Sequence, residues 1–185
     1  MITSTIREWE EENIIQKPPI IMTSRYNNKT WEETTTYRAK ERTDENKVKC
    51  VYCCPRKISK EISNNSLLFV IEMNNDTNKI EGIGLIRNKV RYDNKSRVHE
   101  QGNFNRYIYT GKNRLDVSEL PSDLVELLNI ILFKGKRHSK RGIGLIRLNK
   151  GIITPELKLL YDYRLSWNLC FDSTTTTMKE YSFNL

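Results

Sequence analysis

The sequence contains no apolar run approaching the roughly 20 residues that a helix needs to cross a bilayer. Its N-terminal segment, residues 1–10, also lacks the basic-then-apolar order of a secretory signal peptide. These absences exclude a protein anchored by a membrane-spanning helix, and they predict that the chain has no membrane partner. We therefore expect an intracellular protein of the cytoplasm or the nucleus.

Signatures of the common enzyme classes are missing as well. There is no GxSxG nucleophile motif, no phosphate-loop lysine motif and no GxGxxG motif. The two Gly-Ile-Gly segments lie within strand-like runs and lack the following helix whose amides would hold a phosphate. The sequence thus favours a protein without catalytic residues and without a cofactor. A small hydrolase acting on a nucleoside-like substrate, with Lys29 as its reactive group, stays open as a further hypothesis.

Cysteine and histidine are scarce, with four cysteines and two histidines in the whole chain. Cys50 and Cys53 have the CxxC spacing of zinc and redox sites. Tetrahedral zinc needs four ligands, however, and no second CxxC or paired histidine follows. The segment also reads as a strand, in which Cys50 and Cys53 would point to opposite faces. We predict buried free cysteines and no metal site.

Positive charge is what the sequence has in excess. Lysine and arginine number 31 against 23 aspartates and glutamates, which gives a net charge of +8. Such a surplus attracts polyanions, although net charges of about 2–8 are ordinary for a soluble domain. Charge alone therefore leaves nucleic-acid binding and simple solubility as alternatives.

The excess cations gather in two clusters. The first basic cluster, residues 87–114, interleaves cations with aromatic rings, and the second basic cluster, residues 134–141, is nearly all cationic. Cations neutralise phosphates and rings stack on bases. Each cluster adjoins one copy of the hexapeptide Gly-Ile-Gly-Leu-Ile-Arg, at 82–87 and 142–147, so the clusters converge if those strands are neighbours. The alternative is a solvated face with cations at a helix end. The predicted nucleic-acid-binding residues are Arg87, Lys89, Arg91, Arg97, Lys136, Arg137, Lys140 and Arg141.

Hydrophobic periodicity predicts a single α+β domain at residues 20–170, preceded by an arm at 1–19 and followed by a tail at 171–185. Both hexapeptide copies are predicted to be core strands with similar packing. The predicted strands are 20–22, 47–54, 66–73, 79–87, 104–110 and 142–147. The predicted helices are 29–42, 122–134 and 154–166, and residues 1–19 are predicted to be an arm or a short helix.

The order of these elements resembles the PUA-like β-barrel superfamily, which includes the ASCH, EVE and YTH domains. The resemblance is carried by the strand Ile20-Ile21-Met22, the helix with Lys29-Thr30-Trp31-Glu32, and the long hairpin closing on Gly-Ile-Gly-Leu-Ile. It is topological and covers residues 20–150. The Lys-Thr-x-Glu segment is similar to the ASCH motif, but Thr34 stands where that motif has arginine.

This resemblance implies a small curled β-barrel or a strongly twisted mixed sheet with three to four flanking helices. It also implies a cleft beside the first helix that holds RNA or a modified base, with Tyr26, Trp31 and Tyr37 as the aromatic residues available for stacking. The chain as a whole is similar to uncharacterised proteins of large DNA viruses, which implies the host cytoplasm or the virion as its location.

The function expected first is therefore nucleic-acid binding, to RNA or DNA, mainly through phosphate contacts. The alternative is a structural or interaction protein, such as a homodimeric virion or viral-factory component without catalytic activity. Its positive charge would then serve packing against acidic partners.

Overall fold

The computed structural model describes most of one compact unit of the chain, Met1–Leu148, and a second unit comprises Asn149–Leu185. The predicted arm at 1–19, the predicted helix at 154–166 and the predicted tail at 171–185 lie outside the described residues. The described residues are 20–41, 48–91, 97–136 and 138–148.

The described residues contain both strands and helices, with successive strands paired mostly antiparallel, which confirms the α+β class. The strands are β1 (Ile20–Tyr26), β2 (Cys50–Cys54), β3 (Leu67–Asn74), β4 (Lys79–Arg87), β5 (Tyr107–Gly111), β6 (Asn113–Asp116) and β7 (Ile146–Arg147). The α-helices are α1 (Asn28–Glu41) and α2 (Ser122–Phe133). Short 3-10 helices span Gly102–Arg106 and Val117–Glu119.

Five strands form a mixed sheet in the order β6-β4-β3-β1-β7, and β2 and β5 form a separate antiparallel pair. Within the larger sheet β1 runs parallel to β3, and the other neighbours are antiparallel. The described strands form a mixed sheet with open edges at β6 and β7, not the closed barrel that was one of the two expected forms.

The described residues contain two α-helices, fewer than the three to four that were predicted. Both of the predicted helices within the described ranges are present, and the others fall at 1–19 and 154–166.

Asn27 fixes the start of α1, because its Oδ1 accepts a hydrogen bond from the Thr30 backbone amide (2.8 Å) while the Asn27 backbone amide donates to Thr30 Oγ1 (3.0 Å). In α2 the spacing of Leu124, Leu128 and Leu132 buries one face.

The two copies of the repeated hexapeptide have different structures, contrary to the prediction of two similar core strands. The copy at 82–87 lies in β4 and pairs on both sides. In the copy at 142–147, Gly142 and Gly144 have φ of 124° and 75°, so only Ile146–Arg147 is extended. Strands β3 and β1 lie between β4 and β7. The repeat therefore marks two unrelated places in the fold.

The main core lies where the two-stranded sheet packs on the larger sheet. Cys50, Tyr52 and Cys54 of β2 face this core, whereas Val51 and Cys53 face a smaller cluster on the other side. The prediction that Cys50 and Cys53 point to opposite faces of the strand is thus confirmed.

Gly84 of β4 marks a close approach between the two sheets. A Cβ at this position would overlap the Tyr52 hydroxyl and lie 3.0 Å from Cys50 Sγ. We expect Gly84→Ala to lower the free energy of unfolding by about 1–3 kcal/mol, because overpacking forces neighbouring atoms apart. Urea denaturation followed by circular dichroism measures this change. Gly102→Ala is the matched control, since no atom lies within 4 Å of its Cβ position, and equal stabilities of the two variants would contradict the prediction.

Candidate nucleic-acid interface

Arg87 of the first basic cluster and Lys140 of the second lie at opposite ends of the β3–β4 hairpin. Arg87 of the first cluster pairs with Leu67, the first residue of β3. In the second cluster Lys140 Nζ donates to Asn78 Oδ1 in the hairpin turn (2.6 Å). Because β3 has eight residues and a strand rises about 3.3 Å per residue, roughly 23 Å separates the two ends. The clusters therefore do not form the single composite surface expected from the sequence.

Two side-chain hydrogen bonds to backbone carbonyls hold the described part of the second basic cluster at the turn end of the hairpin. Asn75 Nδ2 donates to the Lys140 carbonyl (3.0 Å), and Arg25 Nε donates to the Ser139 carbonyl (2.6 Å). Burial lowers the pKa of Arg25 to about 10. Lys136 and Arg141 are exposed, and Arg137 lies outside the described residues. The described part of the second basic cluster is thus a solvated loop beside the β3–β4 turn.

The first basic cluster is itself divided, because Arg91 and Arg97 lie in a different groove from Arg87 and Lys89. This groove, which we call the α1 groove, has a volume of about 840 Å³. Its cations are balanced one for one by carboxylates: Arg91 lies 3.8 Å from Glu41 Oε2, for example. The charged residues that line it are Lys29, Lys40, Arg91, Arg97, Glu32, Glu33, Glu41 and Glu100. Balanced charge gives this groove little attraction for a polyanion.

Lys29 belongs to the α1 groove and is exposed. Its Nζ donates to Glu100 Oε2 (2.5 Å), and this hydrogen bond raises the pKa of Lys29 and lowers that of Glu100. The amine therefore stays protonated at neutral pH and has no lone pair for nucleophilic attack. This arrangement is the opposite of what the hydrolase hypothesis requires.

The three aromatic residues assigned to a stacking cleft do not share one. Tyr26 is buried and meets Trp31 edge-on, with ring centroids 5.1 Å apart. Tyr37 lies six residues beyond Trp31 on α1, which is about 240° further round the helix, and it lines the α1 groove instead. Tyr26 and Trp31 belong to the core and its edge.

Trp31 covers a buried ionic cluster centred on Glu72 of β3. The Glu72 carboxylate accepts hydrogen bonds from Tyr52 Oη (2.9 Å) and Arg114 Nε (2.9 Å), and it lies 3.5 Å from Arg38 Nη1. The two guanidinium groups lie 4.8 Å (Arg38) and 5.6 Å (Arg114) from the Trp31 ring centroid. This Glu72 cluster joins α1, β2, β3 and β6.

Burial and charge shift the pKa values of two members of the Glu72 cluster, Tyr52 and Arg114. Desolvation, reinforced by the Glu72 charge, raises the pKa of Tyr52 well above its ordinary value. Burial alone would lower the pKa of Arg114, but the charge and hydrogen bonds of Glu72 raise it overall. The cluster thus consists of a neutral phenol and a salt-bridged arginine around a carboxylate that is fully excluded from solvent. Its chemistry is that of a structural ion network.

A second groove, which we call the lysine groove, carries charge of one sign only. Its volume is about 740 Å³, and Lys57, Lys60 and Lys89 line it. None of the described residues that line it is acidic, and its three ammonium groups form no ion pair with a described carboxylate. Arg87 lies beside it and donates through Nη1 to the Asn65 carbonyl (3.1 Å). The lysine groove is therefore a cationic surface open to an anionic ligand.

The shape of the lysine groove is set by buried hydrogen bonds from its floor. Asn88 Nδ2 donates to the carbonyls of Ile62 (2.9 Å) and Ser63 (3.2 Å). The Ile58 amide donates to the hydroxyl of Tyr109 (3.1 Å), a fully buried residue of β5. These bonds tie the β2–β3 loop to the sheets, so the lysines project from a fixed backbone and little ordering is needed on binding.

Of the predicted phosphate-binding residues, the structure brings Lys89 into the lysine groove and Arg87 beside it. It places Arg91 and Arg97 in the α1 groove, and Lys136, Lys140 and Arg141 at the far end of the hairpin. Lys57 and Lys60 were missed. Their signal in the sequence was the segment Arg56-Lys57-Ile58-Ser59-Lys60, a cation-rich loop directly after Pro55.

Two cysteines of β2, Cys50 and Cys54, are buried as predicted, whereas Cys53 is half-buried, and burial raises the pKa of all three thiols. Burial, followed by the nearby Glu72 charge, raises the pKa of Cys50 to about 12, and burial raises the pKa of Cys54 to about 12. Because the thiolate is the reactive form, we expect these thiols at pH 8 to react with a disulfide reagent on the order of a thousandfold more slowly than a free thiol. The measurement uses Cys170→Ser, which leaves the three β2 thiols. Rapid modification of the native protein, as fast as in denaturant, would contradict the expectation.

Among the residues that the structure describes, no three His, Cys, Asp or Glu side chains gather as they would around a metal ion. No helix of the described ranges has both the length and the apolar character needed to span a bilayer. No known protein family, curated protein or solved structure matches the chain.

Proposed function

We propose that this protein binds nucleic acid, RNA or DNA, through phosphate contacts made in the lysine groove. The observation that carries the proposal is the unbalanced charge of that groove, in which Lys57, Lys60 and Lys89 have no described carboxylate partner. Ammonium groups held on a fixed backbone neutralise phosphates and release counterions. Arg87 extends the cationic surface beyond the groove.

The charge of the whole chain adds to this local feature. A net charge of +8 steers a polyanion toward the protein, and the lysine groove then offers the contact points. The α1 groove does not compete, because its cations and carboxylates are equal in number. The site proposed here therefore differs from the cleft beside the first helix that the family resemblance implied.

A salt-dependent titration tests the proposal. Fluorescence anisotropy of a labelled oligonucleotide is measured at several salt concentrations, with the full chain as titrant. We expect log K to fall linearly with log salt, with a slope of about −2 or steeper, because roughly three phosphate contacts each contribute about −0.7 to −0.9. Absence of binding at low salt would refute nucleic-acid binding.

The alternative predicted from the sequence, a structural or interaction protein, is an outcome of a second measurement. Light scattering of nuclease-treated protein reports the oligomeric state without bound nucleic acid. A stable homodimer that shows no affinity for oligonucleotides would favour a role in packing against acidic proteins, including one in a virion.

We also propose that the fold is PUA-like. Support comes from the order β1, α1, β2 and the long β3–β4 hairpin, which is the order that suggested the resemblance. A crystal structure that includes residues 149–185 tests this. Additional strands that close the sheets into a barrel would support a PUA-like fold, and two open sheets in the complete chain would contradict it.

A further inference from the structure

An aromatic ring outside the lysine groove lies within reach of one of its lysines. Tyr107, the first residue of β5, is half-buried and packs against the main core, so part of its side chain is open to solvent. Lys57, a residue of the groove, places its Nζ 5.6 Å from the centroid of this ring. An ammonium group and an aromatic face are thus available at one position.

The surroundings of Tyr107 fit a nucleobase as well as a phosphate. Val90 is a partly buried apolar residue that lines the groove and packs against the same core as Tyr107. Asn64 and Asn65 line the groove and are exposed, so their carboxamides are accessible to the polar edge of a base. The lysine groove therefore combines cations, an apolar surface with a ring, and groups that donate and accept hydrogen bonds.

We propose that Tyr107 stacks on an unpaired base, and that the lysine groove consequently binds single-stranded nucleic acid in preference to a duplex. This inference rests on the proposed function and specifies its ligand. A duplex presents phosphates to the lysines but hides the faces of its bases, so it gains the electrostatic contacts without the stacking contact. A single strand gains both.

The contact between Lys57 and Tyr107 does not prevent stacking. A cation–π contact at an exposed site is weak, and base stacking on an aromatic side chain is stronger. A phosphate that approaches the groove also attracts the Lys57 ammonium, whose flexible four-carbon chain allows it to leave the ring. Binding of the phosphate and exposure of the ring to a base are then parts of one event.

The test compares ligands and variants by fluorescence anisotropy at one salt concentration. The ligands are an unstructured RNA of about 12 nucleotides, a DNA of the same sequence, and the duplex form of each. We expect wild-type protein to bind a single strand at least about tenfold more tightly than its duplex. The RNA and DNA arms show which sugar is preferred, and duplex binding as tight as single-strand binding overturns the inference.

The variants separate stacking from electrostatics. Tyr107→Ala should weaken single-strand binding by roughly 5- to 150-fold, leave duplex binding nearly unchanged and keep the salt slope, because no phosphate contact is lost. Tyr107→Phe should retain wild-type affinity. Tyr37→Ala, which removes a half-buried ring in the α1 groove, should have no effect.

The stacking inference and the proposed function fail in different ways. If alanine substitution of Lys57, Lys60 and Lys89 weakens binding but Tyr107→Ala, shown to be folded by circular dichroism, binds like wild type, the stacking role is refuted and phosphate binding stands. If Tyr107→Ala does not fold, Tyr107→Leu and Tyr107→Phe carry the comparison: equal single-strand affinity of the two refutes stacking. If neither the lysines nor Tyr107 affect binding, both proposals are wrong.

Discussion

Replacement of Glu72 by glutamine is expected to lower the free energy of unfolding by about 3–5 kcal/mol, because it removes the described counter-charge of Arg38 and one of the two counter-charges of Arg114, which keeps Asp116. The Glu72 side chain is fully buried, and the side chains of Arg38 and Arg114 are each 10% exposed. Water therefore replaces little of the lost interaction. A loss of this size is a large part of the roughly 5–15 kcal/mol that stabilises a typical domain.

Urea denaturation followed by circular dichroism measures the effect of Glu72→Gln. Glu126→Gln is the matched control, because Glu126 is an exposed residue of α2, and its stability should stay within about 0.5 kcal/mol of wild type. A double variant adds a test of the pairing: Glu72→Gln with Arg114→Gln should lose less than the sum of the two single changes. Additive losses would show that the two side chains do not stabilise each other.

The Glu72 cluster also shows which part of the structure was visible in the sequence. One charged residue interrupts the apolar run Leu67–Met73 of a predicted buried strand, and a buried carboxylate requires partners. Its partners Arg38 and Arg114 lie 34 and 42 residues away along the chain. No periodicity relates such distant positions, so the sequence indicated that partners must exist without identifying them.

Most local elements of the described residues were predicted, because local chemistry determines them. However, β6 was missed, and residues 104–106 of the predicted strand 104–110 belong to a 3-10 helix. Asn27 caps α1, and the apolar runs flanking Asn74–Asn78 give the β3–β4 hairpin. The second hexapeptide copy, in contrast, was predicted to be a core strand like the first copy, which has the same amino-acid sequence. Positive φ at Gly142 and Gly144 makes it mostly irregular, and only tertiary contacts decide whether glycine adopts that conformation.

The candidate site was predicted only in part, for a related reason. Clusters in the sequence suggested one basic surface, but the hairpin carries Arg87 and Lys140 to opposite ends of the same sheet. Lys57 and Lys89 are 32 residues apart in the chain and share one groove because Asn88 binds the β2–β3 loop. Strand register and loop anchoring therefore determined the site, and neither can be read from cation counts.

Alanine substitution of Lys57, Lys60 and Lys89 together is expected to weaken oligonucleotide binding by roughly a hundredfold at 0.1 M salt. Each single-strand phosphate contact scales affinity as about the −0.7 power of salt concentration, which is about fivefold between 1 M and 0.1 M, and three contacts multiply. The slope of log K against log salt should become less steep by about 2. Fluorescence anisotropy at four salt concentrations measures both quantities.

The control for this triple variant removes the same charge from the far end of the hairpin. Alanine at Lys134, Lys136 and Arg141, all exposed, lowers the net charge by three as well, so long-range steering changes equally in the two proteins. Only contact with the ligand then distinguishes them. If binding depends on the lysine groove, the control keeps nearly all of its salt slope. If both triple variants lose affinity and slope equally, the protein attracts nucleic acid through its overall charge and the lysine groove is not its binding site.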